Sequence, residues 1–187
     1  MTDSTTAIDV PDYKAGTWVL DPAHSEASFT VRHMMISKVR GTFAIKEAVI
    51  TAPENPLQAS VRASVDTTTI DTRDAGRDAH LRSGDFFDVD NHPTMDFAST
   101  GIRREGGDFL VDGELTIRGT TRPVIFRLDF GGFQTDPWGN YKAGATAKTV
   151  INREEFGLTW NTALESGGVL VGKDVTIELD LQGVLQA

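Results

Sequence analysis

Hydrophobic residues fall on every second position through most of this chain, the pattern of strands with one buried and one wet face. Ala27, Phe29 and Val31 alternate with Ser28, Thr30 and Arg32, and Phe43 and Ile45 with Thr42 and Lys46. Ala59, Val61, Ala63 and Val65 alternate in the same way with Ser60, Arg62 and Ser64. The period continues through Met95 and Phe97, Phe109 and Val111, Leu115 and Ile117, then Val124, Phe126, Leu128 and Phe130, and finally Val175, Ile177, Leu179 and Leu181. Asp112-Gly113 and Gly131-Gly132 suit tight turns, whereas residues 118–123 (RGTTRP) read as a longer connection with Pro123 starting a strand or lying at its edge. Two segments break the alternation. Residues 72–83 carry Ala75, Ala79 and Leu81 with charges at helical spacing, and Gly84 is placed as a C-terminal stop. Asn152, with Glu155 three residues on, is an N-cap arrangement for a turn of helix leading into Phe156. The class is all-β with one or two short helices, and both a sandwich and a barrel satisfy it.

Composition narrows the setting. A chain of 187 residues fits one all-β domain with a substantial core. Residues 1–16 are polar, acidic and interrupted by Pro11, so they are expected to be a flexible tail, leaving 17–187 as the folded domain. Hydrophobic residues make up 39% and charged residues 24%, the balance of a soluble globule, and no apolar run approaches the roughly 18 residues of a spanning helix. The formal net charge of −9 is spread along the chain, which disfavours phosphate-backbone tracking and long-range attraction to anionic lipid surfaces, so nucleic acid is not an expected partner. Cysteine is absent, which removes disulfides, thiol nucleophiles and Cys-based zinc sites. The first sixteen residues have no basic n-region, apolar h-region or small-residue cleavage pattern, and a cytoplasmic location is expected.

Four stretches identify the family. Residues 77–88 (RDAHLRSGDFFD), 18–25 (WVLDPAHS), 113–124 (GELTIRGTTRPV) and 152–158 (NREEFGL) together resemble the YceI-like signature, from about Thr17 to the C-terminus. The resemblance implies an antiparallel lipocalin-like β-barrel of about eight strands that holds a long apolar ligand, typically a polyisoprenoid, with no established catalytic residues. It also implies a homodimer, although the strand pattern identifies no interface.

A small barrel either fills its interior with side chains or holds one ligand, and the sizes of the inward residues bear on which. Ala59 and Ala63 share one strand face, and Ala143, Ala145 and Ala147 another, while Phe29, Phe43, Phe97 and Phe126 supply an aromatic wall. The competing reading packs each alanine against a phenylalanine, large against small, as solid cores do. The family resemblance favours the hollow interior, lined by Phe29, Val31, Phe43, Ile45 and Ala63, by Phe97, Leu115, Ile117 and Phe126, and by Ala145 and Leu158. Burying one five-carbon isoprene unit yields about 4 kcal/mol at about 0.8 kcal/mol per carbon. Three units give about 12 kcal/mol, comparable with the roughly 4 to 15 kcal/mol cost of association. Tail length is therefore expected to govern affinity more than head group.

The charged clusters each carry two readings. Arg73, Arg77 and His80 share one face of a helix and are suited to an anionic head group, but Asp74 with Arg77 and Asp78 with Arg82 make the same helix self-neutralised. Arg118 and Arg122 lie in a connection that could face a barrel mouth. His24, Arg77, His80 and Arg118 are the candidate polar mouth. Asp21, His24 and Ser25 suggest an acid, base and nucleophile, yet strand neighbours point to opposite faces and no Gly-x-Ser-x-Gly elbow is present. His24, His33, His80 and His92 show no short metal-ligand spacing, and Asp85, Asp88, Asp90 and Asp96 lack the order of a calcium loop. Phe86 and Phe87 are expected to anchor the helix on the barrel. No metal, cofactor or catalytic residue is expected. The leading function is non-enzymatic binding, storage or transport of a polyisoprenoid, an isoprenoid quinone precursor or a similar long-chain lipid. The rivals are a hydrolase of apolar esters or prenyl substrates, with His24 or His80 as base, and a ligand-free interaction module.

Overall fold

The computed structural model describes residues 8–187. Nine strands run through them: β1 (Gly16–Leu20), β2 (Glu26–His33), β3 (Ser37–Ala52), β4 (Ser60–Asp71), β5 (Thr94–Glu105), β6 (Asp108–Ile117), β7 (Thr120–Thr135), β8 (Tyr141–Asn152) and β9 (Val171–Leu185). All pairings are antiparallel, and β3 closes on β4 through pairs such as Ile45 with Val65. The first two strands share one place between β3 and β9. Trp18 lies opposite Ile50 and Leu185, whereas Ala27 lies opposite Phe43 and Leu179. They are separated at Asp21, whose carboxylate accepts from the Ala23 N–H at 3.0 Å and so caps a single turn over Pro22–His24. Eight positions result, an antiparallel β-barrel with one helix, as the resemblance implied.

The helix α1 (Ala75–Arg82) joins β4 to β5. Asp74 caps it by accepting from the Arg77 N–H at 2.9 Å. Its stop is Ser83, whose hydroxyl donates to the His80 carbonyl, and not Gly84. The expected side-chain pairs within the helix do not form. Asp78 is buried and accepts from both the backbone N–H and the hydroxyl of Thr72, while Arg82 donates to the Thr68 and Ile70 carbonyls. Asn152 caps the turn over Arg153–Phe156 as its spacing suggested, accepting from the Glu154 N–H at 3.0 Å.

Asp112-Gly113 and Gly131-Gly132, whose residues suit turns, lie inside strands. The β5–β6 turn is Gly106-Gly107, and Asp112-Gly113 sits within β6, where the Phe97 ring lies so close to Gly113 that a Cβ would collide with it. Gly131-Gly132 marks a register shift within β7, and the bend it introduces curves the strand. The connection at 118–123 is tighter than expected: Ile117 already pairs with Thr120, and Arg118 and Gly119 turn with φ of 49° and 75°. Pro123 pairs with Glu114 on one side, while pairing of β7 with β8 begins only at Arg127, so its missing N–H leaves no ladder bond unmade on that side.

The expectation of a flexible tail needs correction for residues 10–15; residues 1–7 lie outside the described residues. The Tyr13 hydroxyl donates to the Pro53 carbonyl at 2.6 Å, the Tyr141 hydroxyl to the Asp12 carbonyl at 2.6 Å, and the Trp18 indole to the Lys14 carbonyl at 3.2 Å. These bonds seat the segment across one end of the barrel.

Candidate functional site

Inward-facing side chains of a solid barrel would form one continuous core. Here the fully buried residues form two. One lies on the wall of β6, β7 and β8, with Val111, Leu115, Ile117, Val124, Phe126, Ala147 and Ile151 backed by Phe156 and Leu158. The other lies on the wall of β2, β3 and β4, with Ala27, Phe43, Ile45, Ala48 and Ile70. Leu81 of α1, with Phe87 and Met95 beyond it, packs against both and joins the walls at the helix end. Farther along, Phe29, Ala63, Val65, Phe97, Leu128 and Ile177 face inward yet are only half-buried, because part of each borders empty space.

That space is a cavity of about 430 Å³, within the range of small-molecule sites. Each of the eleven apolar residues named for a hollow interior lines it: Phe29, Val31, Phe43, Ile45 and Ala63 on one wall, Phe97, Leu115, Ile117 and Phe126 on the other, with Ala145 and Leu158. The alanines Ala59, Ala143 and Ala147 also border it. Phe86 and Phe87 serve as its floor, Phe87 meeting Phe43 edge-on at 5.4 Å between ring centres. The opposite end carries Phe130 of the alternation together with residues that strand parity did not mark. Val10, Tyr13, Trp18, Phe130 and Phe133 line it, and Tyr141 stacks on Phe133 at 5.5 Å. These aromatic residues converge from two distant stretches of chain, 13–18 and 130–141, and no spacing in the sequence announces the cluster.

The lining is carbon almost throughout. Tyr13 and Trp18 turn their polar ends to backbone carbonyls and present ring faces to the cavity. Arg153 is the one lining guanidinium, and it is fully engaged: Nε donates to the Gly172 carbonyl at 2.7 Å, Nη1 to Leu158 at 2.6 Å and Trp160 at 3.0 Å, and Nη2 to Val171 at 3.3 Å. Burial pushes its pKa down from the ordinary arginine value, a shift the neighbouring Glu154 opposes. Its role is to tie the turn at 153–156 to the start of β9, and the sequence reading did not single it out.

None of the four candidate polar-mouth residues lines the cavity. His24 pairs with Asp21 at 2.9 Å on the outer surface, and that hydrogen bond is the first cause holding the Asp21 carboxyl below its usual range. Arg77 donates to the Thr72 hydroxyl and carbonyl, both at 2.8 Å. His80 meets Asp85 at 2.8 Å and packs edge-on against Phe86 and Trp160. Arg118 donates to the Phe86 carbonyl at 3.0 Å, bracing the cavity floor from outside. The Ser25 hydroxyl accepts from the Gln182 N–H, so its partner is backbone and not His24. Among the described residues no three metal-capable side chains converge.

The model of the YceI-like domain matches residues 18–183. The chain belongs to the YceI-like family. A UPF0312 protein of Staphylococcus aureus strain USA300 is 35% identical over 163 residues, covering 86% of this chain and 93% of that one. Among solved structures, the YceI-like barrel is similar to BcnA of Burkholderia cenocepacia, with a TM-score of 0.74 at 22% identity, covering 87% of this chain and 98% of that one. It is also similar to a polyisoprenoid-binding domain of Saccharophagus degradans implicated in plant cell wall breakdown, with a TM-score of 0.69 at 13% identity, covering 92% and 100%.

Proposed function

We propose that this YceI-like barrel binds a long-chain apolar molecule, a polyisoprenoid, an isoprenoid quinone precursor or a similar lipid, and stores or carries it without chemical change. The observation that carries the reading is the separation of the core into two walls around a carbon-lined cavity. Leaving such a space unfilled forfeits dispersion contacts that a slim hydrocarbon restores. The likeness to a polyisoprenoid-binding domain adds the ligand class. The eleven lining residues would contact the chain of the ligand, and the arginines and histidines once assigned to its head group are held elsewhere by backbone carbonyls and carboxylates. The site accordingly selects for length and slenderness, since apolar contact is non-directional.

A cytoplasmic carrier that forms a homodimer completes the proposal, to be tested by fractionation and sedimentation. The ligand is tested by gentle purification, denaturation and mass spectrometry of what is released. A long-chain lipid recovered unchanged and in stoichiometric amount is the expected result. Turnover of a prenyl ester, lost in His24→Ala, would replace the carrier with the hydrolase.

A further inference from the structure

The turn between β2 and β3 is built against local preference. Met34 and Met35 have φ of 52° and 61°, the left-handed region where Asn and Gly ordinarily sit, and bulky side chains there are costly. The side chains so displayed are apolar and exposed: Met34 is 42%, Met35 60% and Ile36 79% accessible. A second loop widens the tip. The Met34 N–H donates to the Leu170 carbonyl at 2.7 Å, the Met35 sulfur lies directly over Gly168, and Val169 is 37% accessible beside them.

Positive charge surrounds this tip in a chain whose net charge is −9. Arg32 and Lys38 stand opposite each other on the outer face, and Arg40 follows opposite Thr30; all three are exposed and, among the described residues, form no ion pair. Lys173, at the adjoining start of β9, meets Glu154 at 3.8 Å, and Asp174 beside it and Glu165 of the neighbouring loop are the acidic residues near the tip, against three basic residues without an ion pair. The exposed aromatic Trp138 has the opposite setting, in a turn with Asp136 and three residues before Tyr141, which binds the Asp12 backbone. Apolar side chains ringed by basic ones match an anionic bilayer, where the former enter the headgroup boundary and the latter meet phosphate.

We propose that residues 34–36, with Val169 and the basic trio Arg32, Lys38 and Arg40, form a docking tip for an anionic lipid surface. The tip adjoins the cavity: Val31 and Val171, each lining it, lie three residues before Met34 and one after Leu170. A carrier docked by this tip would hold one end of its barrel against the bilayer. The docking stands on the tip alone, so lipid-stripped and lipid-loaded protein should behave alike, which separates this inference from the identity of the ligand.

The test is flotation with vesicles of phosphatidylglycerol and phosphatidylcholine against phosphatidylcholine alone, at low and high salt. The wild-type protein should float with the anionic vesicles and be released by salt. Lys38→Gln/Arg40→Gln should weaken binding about twenty-five-fold, at roughly one factor of five per charge. Met34→Asn/Met35→Gly should raise the melting temperature by relieving the turn, yet weaken vesicle binding, a split that a purely structural role does not produce. Trp138→Ser should leave binding unchanged. No flotation of the wild type, or flotation indifferent to both tip variants, overturns the proposal. So does a tip variant that abolishes self-association in sedimentation while vesicle binding persists, because the patch would then be an interface between two copies.

Discussion

At the scale of single residues, several arginines of this barrel, Arg77, Arg82, Arg118 and Arg153, end on backbone carbonyls. Arg153 is the extreme case, a buried guanidinium whose positive charge is met by four carbonyls and no carboxylate in its hydrogen-bond shell. Arg153→Met would leave those acceptors unpaired in a buried site, and a loss of about 3 kcal/mol is expected by denaturant titration. Arg153→Lys should recover only part of it, since an ammonium cannot span a planar fork. Asp21 offers a titration. The His24 hydrogen bond, then the Ala23 N–H and Lys142, hold its carboxyl below the usual range against the opposing effect of burial. A folded pKa below an unfolded value of about 4 contributes stability that is complete above about pH 4 and is lost as pH falls through the folded value. His24→Ala should therefore raise the Asp21 midpoint, read by carboxyl NMR, and make the acid limb of the stability curve shallower. An unmoved midpoint would transfer the depression to Lys142 and the backbone. Strand parity made the cavity walls readable at this scale because a period of two leaves only two faces to choose between. It said nothing of where an arginine ends, and Arg77, His80 and Arg118 each reach a partner outside the cavity.

At the scale of elements, the existence of the strands and of α1 was legible, while their junctions were not. Asp112-Gly113 reads as a turn by chemistry, but Gly113 is required by the Phe97 ring on the next strand, a contact that no local rule supplies. The N-terminal segment departs from its composition for a related reason. Its composition is that of a tail, yet Val10 and Tyr13 suffice to seat it, and the Pro53 carbonyl that fixes Tyr13 lies forty residues away. Seated there, residues 10–15 cover part of the end of the cavity opposite the helix. A chain begun at Gly16 should keep the barrel, since β1 retains its pairs with β3 and β9, but should release a bound lipid faster. Stopped-flow transfer of a fluorescent polyprenyl analogue to acceptor vesicles is the measurement, and equal rates with and without the segment would show that it gates nothing.

For the whole molecule, the decisive property is that the two walls leave a cavity between them, and substitution can measure that space directly. In a close-packed core an alanine enlarged to phenylalanine forces off-rotamer neighbours and costs about 1 to 3 kcal/mol. Ala63 and Ala145 stand on walls that border the cavity, where an added ring meets space in place of side chains. Ala145→Phe should thus leave the melting temperature of the lipid-free protein nearly unchanged and sharply reduce the lipid it retains. Ala63→Phe/Ala145→Phe together should abolish retention. Val124→Phe, at a buried wall position that does not line the cavity, should destabilise without that selectivity. A solid barrel makes the opposite forecast, large loss of stability at all three positions, and that pattern would remove the cavity and the carrier function with it. Ligand length supplies the companion measurement. With each isoprene unit contributing about 4 kcal/mol gross, affinity should climb steeply along a prenyl series and level off where the chain outgrows the cavity. The plateau should arrive one or more units earlier in Ala145→Phe, because the ring occupies volume the chain would otherwise fill.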